Sequence, residues 1–169
     1  CFERFDGMFA IAAWNTKTQE LIISRDRFGV KPLYYYFDGR LFLFASEIKA
    51  ILEHPNYSIK INTAALNEYF SFQNLFRFHT LFDGIYMLPA ANTISISKDT
   101  RSLRHQVWWD YNFSEVDNTI TFQDAKEETK RLMQEAVKRQ MVSDVPVGSY
   151  LSGGMDSGSI TALASKHVP

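Results

Sequence analysis

Residues 32–46, PLYYYFDGRLFLFAS, constrain the fold more than any other stretch of the chain. Two aromatic and apolar runs flank Asp38-Gly39. A chain that turns at Asp-Gly, with positive φ at the turn, brings such runs back on each other as an antiparallel hairpin. Tyr34 to Tyr36 and Phe42 to Phe44 suit a pleated, half-buried surface. Apolar residues 8–14 and the segment 20–26, ELIISRD, are separated by the turn NTKTQ and should pair in the same way. GIYMLPAANTISIS resumes strand character, with alternation at Thr93, Ile94, Ser95 and Ile96.

Helices break this run of strands. SEIKAILEH fits a short helix with Ile48, Ile51 and Leu52 on one side, ended by Pro55. NTAALNEYFSF fits a second, capped by Asn62 or Thr63, with Leu66, Tyr69 and Phe70 facing inward. The first part therefore reads as α+β: antiparallel strands with helices packed on a face. Near residues 110–120 the texture changes. WDYNFSEVDNT is polar and turn-rich, as a linker would be. Thr121-x-x-Asp124 resembles a capping box, and the helix after it carries a stripe of Leu132, Met133, Ala136, Val137 and Met141. VPVGSYL then reads as a short buried-type strand and SITALASKH as a helix, the order of α/β units. We expect two domains, 1–115 and 116–169, with Trp108 and Trp109 as anchors between them.

Several classes are excluded by composition. The net charge is −1 and no basic run occurs, so a nucleic-acid partner is not expected. No apolar stretch approaches the roughly 20 residues needed to cross a bilayer, so no membrane partner is expected either. GMFAIAAW is too short to span and lacks the charged leader of a signal peptide. A single cysteine precludes an internal disulfide and fits a reducing, cytoplasmic setting. His54, His79, His105 and His167 are scattered, without the spacing of a zinc site.

The chemistry concentrates in Ser152-Gly-Gly-Met-Asp-Ser157, between the expected strand and the last helix. Open parallel sheets bind ligands at that end of a strand. A helix N-terminus offers unpaired N–H donors and about half a positive charge, which suits phosphate. Gly153 and Gly154 allow close backbone approach, and Ser152 and Ser157 add hydroxyls. Asp156 would repel phosphate unless a cation lay between them, which points to Mg²⁺. A Walker A loop needs a lysine that is missing here, G-x-G-x-x-G is not matched, and Gly154-Met-Asp-Ser157-Gly158 has one residue too many for G-x-S-x-G. A glycine-rich turn without chemistry is the competing reading.

DVPVGSYLSGGMDSGSITALAS resembles the pyrophosphate-binding loop of asparagine synthetases and related ATP pyrophosphatases. FDGMFAIAAWN, LIISRDRFGVKPLYYY, LFLFASEIKAIL, LFDGIYMLPAAN and WWDY resemble the second half of the glutaminase domain in the glutamine-hydrolysing members of that family, in the same order. The resemblance implies the C-terminal half of an N-terminal-nucleophile-type glutaminase at 1–115, joined to the start of an ATP-binding synthetase domain at 116–169. It implies glutamine, aspartate and ATP as substrates, Mg²⁺ and ATP as cofactors, and synthesis of asparagine through β-aspartyl-AMP. It leaves room for a homodimer, and for relatives that amidate another carboxylate or keep the scaffold as a non-catalytic regulator. On it, Leu151, Ser152, Gly153, Gly154, Asp156 and Ser157 bind ATP or pyrophosphate and Asp156 holds the metal. Gly158 departs from the family, which commonly has a second serine there.

Glutaminases of this class use an N-terminal cysteine with its α-amine as base. The residues after Cys1 match a segment much further along that fold, so Cys1 is not assigned as the nucleophile and no catalytic residue is assigned. The chain is expected to be an excerpt of a longer polypeptide, inactive alone. Arg25-Asp26-Arg27 reads as a strand-end ion pair supporting the turn at Gly29. Glu47 and Lys49 read as a cap or surface pair, and Lys98, Asp99 and Arg101 as a hairpin turn.

Overall fold

The computed structural model describes residues 1–99 and 101–167. Thr100, within the expected turn near 98–101, and Val168 and Pro169, at the end of the expected second domain, lie outside them. The chain divides into two compact units, Cys1–Asn112 and a second from Phe113 onward.

The first unit holds two antiparallel sheets. Strands β1 (Ala10–Asn15), β2 (Glu20–Arg25), β6 (Asn92–Ser97) and β7 (Leu103–Val107) form one, in the order β1-β2-β6-β7. Strands β3 (Tyr34–Phe37), β4 (Phe42–Ala45) and β5 (Ile85–Met87) form the other, in the order β4-β3-β5. The β1–β2 pairing is the expected one, running from Ala10↔Arg25 to Asn15↔Glu20. The β3–β4 hairpin forms where Asp38-Gly39 demands it, with Gly39 at φ +89°. Its loop is four residues long, since Phe37 faces Phe42, and Asp38 Oδ1 accepts from the amides of Arg40 (2.8 Å) and Leu41 (2.7 Å) to close it.

Period-two alternation places one core between the sheets: Ile23 and Ile94 from the first meet Leu33 and Leu88, with Tyr35 and Phe42 packed against them. The opposite face of the second sheet meets helix α1 (Ile48–Leu52), where Ile51, Tyr57 and Ile85 are buried with Ile48 and Leu52 against them. Helix α2 (Thr63–Phe72) starts at Asn62, whose Oδ1 accepts from the Ala65 amide at 3.0 Å. Here one expectation fails. Ala65 is the buried residue of α2, while Phe70 is 75% exposed. The inward face follows Ala65 and Glu68, because the Glu68 carboxylate turns back to hold the segment after the helix. It accepts from the Phe76 amide at 2.8 Å and meets His79 Nε2 at 2.8 Å.

Trp108 packs with Phe2 and Phe9, and Trp109 with Phe28 and Tyr111. These aromatic contacts lie inside the first unit, where Arg27 lies over both indoles.

In the second unit α3 (Phe122–Gln140) opens with the expected capping box. The Asp124 amide donates to Thr121 Oγ1 and the Thr121 amide to Asp124 Oδ2, each at 3.2 Å. Val137 is buried on its inner stripe, whereas Leu132 is half exposed. Helix α4 (Met155–Ala164) follows, ending in a 3₁₀ turn at Ser165–His167. Two corrections apply. Residues 145–151 form no strand, and their side chains are exposed; among the described residues of this unit there is no other strand to complete a ladder with them. The last helix begins at Met155, not Ser159, so Asp156 and Ser157 sit in its first turn.

Candidate functional site

The loop Ser152–Ser157 is shaped by its glycines and closed by its serines. Gly153 takes φ +84°, where L side chains are strained, and nothing lies within 4 Å of the position a Cβ would occupy. Gly154, extended at φ −79°, ψ 161°, is the N-cap of α4. Ser152 Oγ and Ser157 Oγ lie 2.9 Å apart, and Ser157 Oγ donates to the Gly154 carbonyl at 3.1 Å. The hydroxyls thereby draw the two arms of the loop together.

No side chain caps α4. Asn62 caps α2 and the Thr121–Asp124 box caps α3, so α4 differs from both in offering its first amides to an outside acceptor. Leu151 is 65% exposed beside the loop. Asp156, also exposed, is the acid of the first turn. Among the described residues no group of three or more His, Cys, Asp or Glu gathers to hold a metal. A lone carboxylate fits a magnesium ion that takes its other oxygens from phosphates and water, not a cage built by protein alone. All six residues singled out in the sequence thus lie together at the uncapped start of α4 and in the loop before it.

Two further hydroxyls were not legible in the sequence. Ser149 Oγ and Thr161 Oγ1 lie 2.7 Å apart, joining the arm that enters the loop to the second turn of α4. Their separation of 12 residues carries no local signal, and only the reversal of the chain at Gly153 and Gly154 brings them together. Below them an apolar groove of about 730 Å³ runs between α3 and α4, lined by Met133, Val137, Val147, Ile160 and Ala164 among others.

In the first unit the Arg25-Asp26 reading needs revision. The two side chains support the turn at Gly29 by gripping backbone, not each other. Arg25 donates through Nε to the Lys31 carbonyl and through Nη1 to that of Leu88, both at 2.7 Å, and its Nη2 reaches Gly29. Asp26, 1% exposed, accepts from four amides: Phe28 and Val30 on Oδ1, Phe9 and Lys31 on Oδ2. Burial alone would raise its pKa, but those four donors outweigh it and hold the carboxyl below its ordinary value. Glu47 makes no cap bond to α1 and pairs with Lys49 at 2.6 Å on the surface. Cys1 is exposed, at the start of a short 3₁₀ turn, Phe2–Arg4.

Paired antiparallel sheets with helices on one face, followed by a glycine loop at a bare helix end, define a class. The family model described as a glutamine amidotransferase domain matches residues 1–109, and the chain belongs to that family. A second model, described as asparagine synthase, matches residues 128–169 and includes the loop. Among curated proteins, the chain is 40% identical over 99% of its length to asparagine synthetase [glutamine-hydrolyzing] 3 of Bacillus subtilis, covering 27% of that protein. It is 35% identical over 96% of its length to asparagine synthetase [glutamine-hydrolyzing] 1 of the same organism, covering 25% of it. Amidase chry2 of Gibberella zeae is 29% identical over 94% of the chain, which covers 23% of that protein. The chain thus spans about a quarter of the length of these relatives.

Proposed function

We propose that this chain is part of an ATP-dependent, glutamine-hydrolysing asparagine synthetase. Residues 1–115 are the C-terminal half of its glutaminase domain, and 116–169 begin the domain that activates aspartate. The observation that carries the reading is the uncapped start of α4 behind Gly153 and Gly154, with Ser152 and Ser157 converging on it. It lies inside the segment similar to asparagine synthase.

A carboxylate is a poor acyl donor at neutral pH, and adenylation supplies a leaving group. Aspartate attacks the α-phosphorus of ATP, pyrophosphate departs, and ammonia released from glutamine then displaces AMP. On this reading the first amides of α4 and the hydroxyls of Ser152 and Ser157 bind the β- and γ-phosphates, where negative charge grows as pyrophosphate leaves. Gly153 and Gly154 let the backbone approach, and Leu151 gives the nucleotide an apolar contact. Asp156 would hold magnesium, which would offset that charge. The protein would work in the cytoplasm, where its substrates are found; no helix among the described residues is long and apolar enough to cross a membrane. Cys1 takes no part in glutamine hydrolysis.

The test is calorimetry of Mg-ATP binding and measurement of AMP and pyrophosphate release by the intact protein, with Asp156→Ala/Ser157→Ala as the variant. Loss of both binding and release in the variant is expected; undiminished affinity and turnover would refute the site. A second reading, transfer of the amide to a carboxylate other than aspartate, draws on the likeness to an amidase. Product formation with other carboxylates, and none with aspartate, would favour it.

A further inference from the structure

Two hydroxyl pairs tie the arm entering the loop to α4. The inner pair is Ser152 with Ser157, at 2.9 Å, and the outer pair is Ser149 with Thr161, at 2.7 Å. Ser157 and Thr161 are four residues apart, so they share one face of α4, about 6 Å apart along its axis. Ser149 and Ser152 are three residues apart on the arm. The pairs therefore stand one behind the other, like successive rungs, between arm and helix. Among the described residues no strand lies beside the arm, which meets α4 through these rungs and shares the wall of the α3–α4 groove.

We propose that Ser149 and Thr161 are positioning residues for phosphate binding at the loop, and that their bond matters most once ligand is bound. The inference rests on the phosphate-binding reading of Ser152–Ser157 given above. A serine hydroxyl has a single proton, and a phosphate group offers only acceptors. In the ligand-free loop Ser157 donates to the Gly154 carbonyl, so the inner rung is Ser152 donating to Ser157. When both donate to phosphate oxygens, neither proton remains for the other serine, and the inner rung opens. The outer rung then spans arm and helix alone. It keeps Ser152 and the first amides of α4 at the separation a phosphate needs.

This makes the effect of removing the outer rung asymmetric. Without ligand, one rung of two is lost, at an exposed site where a hydroxyl pair contributes little. With ligand, the last rung is lost. Ser149 and Thr161 touch no phosphate in this scheme; they act through the residues that do.

The experiment uses the intact protein with Thr161→Val, Ser149→Ala, both together, and Thr161→Ser, which keeps the hydroxyl. Mg-ATP and inorganic pyrophosphate are titrated by calorimetry, KM for ATP and kcat are measured, and melting is followed without nucleotide. Each single variant should raise the Kd for Mg-ATP about three- to tenfold, the range of one net hydrogen bond. The double variant should be no weaker than either single one, because both remove the same bond. Thr161→Ser should bind as wild type. KM for ATP should rise, and nucleotide-free melting should stay within about 2 °C of wild type. Wild-type affinity in both single variants would overturn the proposal. So would multiplicative losses in the double variant, or a fall in melting that matches the loss of binding. If these variants bind normally while Asp156→Ala/Ser157→Ala does not, the phosphate-loop reading survives and the positioning role fails. If the wild type binds neither Mg-ATP nor pyrophosphate, both fail.

Discussion

Asp26→Asn changes almost no volume and removes one acceptor oxygen at a buried junction. In the wild type, Oδ1 accepts from the amides of Phe28 (3.1 Å) and Val30 (3.0 Å), and Oδ2 from Phe9 (3.3 Å) and Lys31 (3.0 Å). An asparagine keeps its oxygen for two of these amides and turns an NH₂ group toward the other two. Each buried N–H left without an acceptor costs about 1–3 kcal/mol, so a net loss of about 2–4 kcal/mol is expected after partial relaxation. All three tryptophans, Trp14, Trp108 and Trp109, lie in the first unit, so their fluorescence in a urea titration of this chain reports the unit that holds Asp26. With a denaturant slope of about 2 kcal/mol/M, the midpoint should fall by roughly 1–2 M. The pH dependence has a definite sign. Because the folded carboxyl sits below its ordinary value, its stabilisation is complete above the unfolded pKa of about 4 and is lost as pH falls through the lower folded value. The gap between wild type and Asp26→Asn should therefore close in acid. A midpoint unchanged near neutral pH would mean that these four amides do not depend on the carboxylate, and the account of the 25–31 turn would be wrong.

The loop offers a backbone test besides the variants described above. Gly153→Ala meets no neighbour, so its cost is conformational: about 1–2 kcal/mol for holding a residue with a Cβ at φ +84°, read as a roughly five- to thirtyfold weaker Mg-ATP affinity in calorimetry. Gly153→Asn should lose less, since asparagine tolerates positive φ better. Within α2, Glu68→Gln should speed hydrogen exchange at the Phe76 amide. That amide, acting against partial burial and with help from His79, holds the Glu68 carboxyl below its usual value. The same acceleration should appear in the wild type as pH falls through the folded pKa of Glu68, and protection that ignores both changes would remove Glu68 as the anchor of residues 73–79.

What could be read from the residues alone was whatever nearby residues decide. The hairpin at Asp38-Gly39 follows from backbone φ and two apolar runs. The Asn62 cap and the Thr121–Asp124 box follow from side chains reaching amides three residues away. The glycines and hydroxyls of Ser152–Ser157 were visible as a candidate site because they are nearly consecutive. Pairings between distant residues had to wait for the tertiary structure. Strand β2 lies beside β6, with Ile23 opposite Ile94, although about 70 residues of chain separate them. Arg25 and Asp26 each look like an ion-pair partner in sequence, yet Asp26 is hydrogen-bonded by four backbone amides and Arg25 by three backbone carbonyls. Phe70 is apolar, and on pattern alone it belongs inside, but the turn of α2 that meets the protein was chosen by Ala65 and Glu68. VPVGSYL has the composition of a strand, and composition cannot supply the neighbouring strand whose hydrogen bonds would make it one. The Ser149–Thr161 bond has the same origin: two unremarkable hydroxyls become partners only because the chain reverses between them.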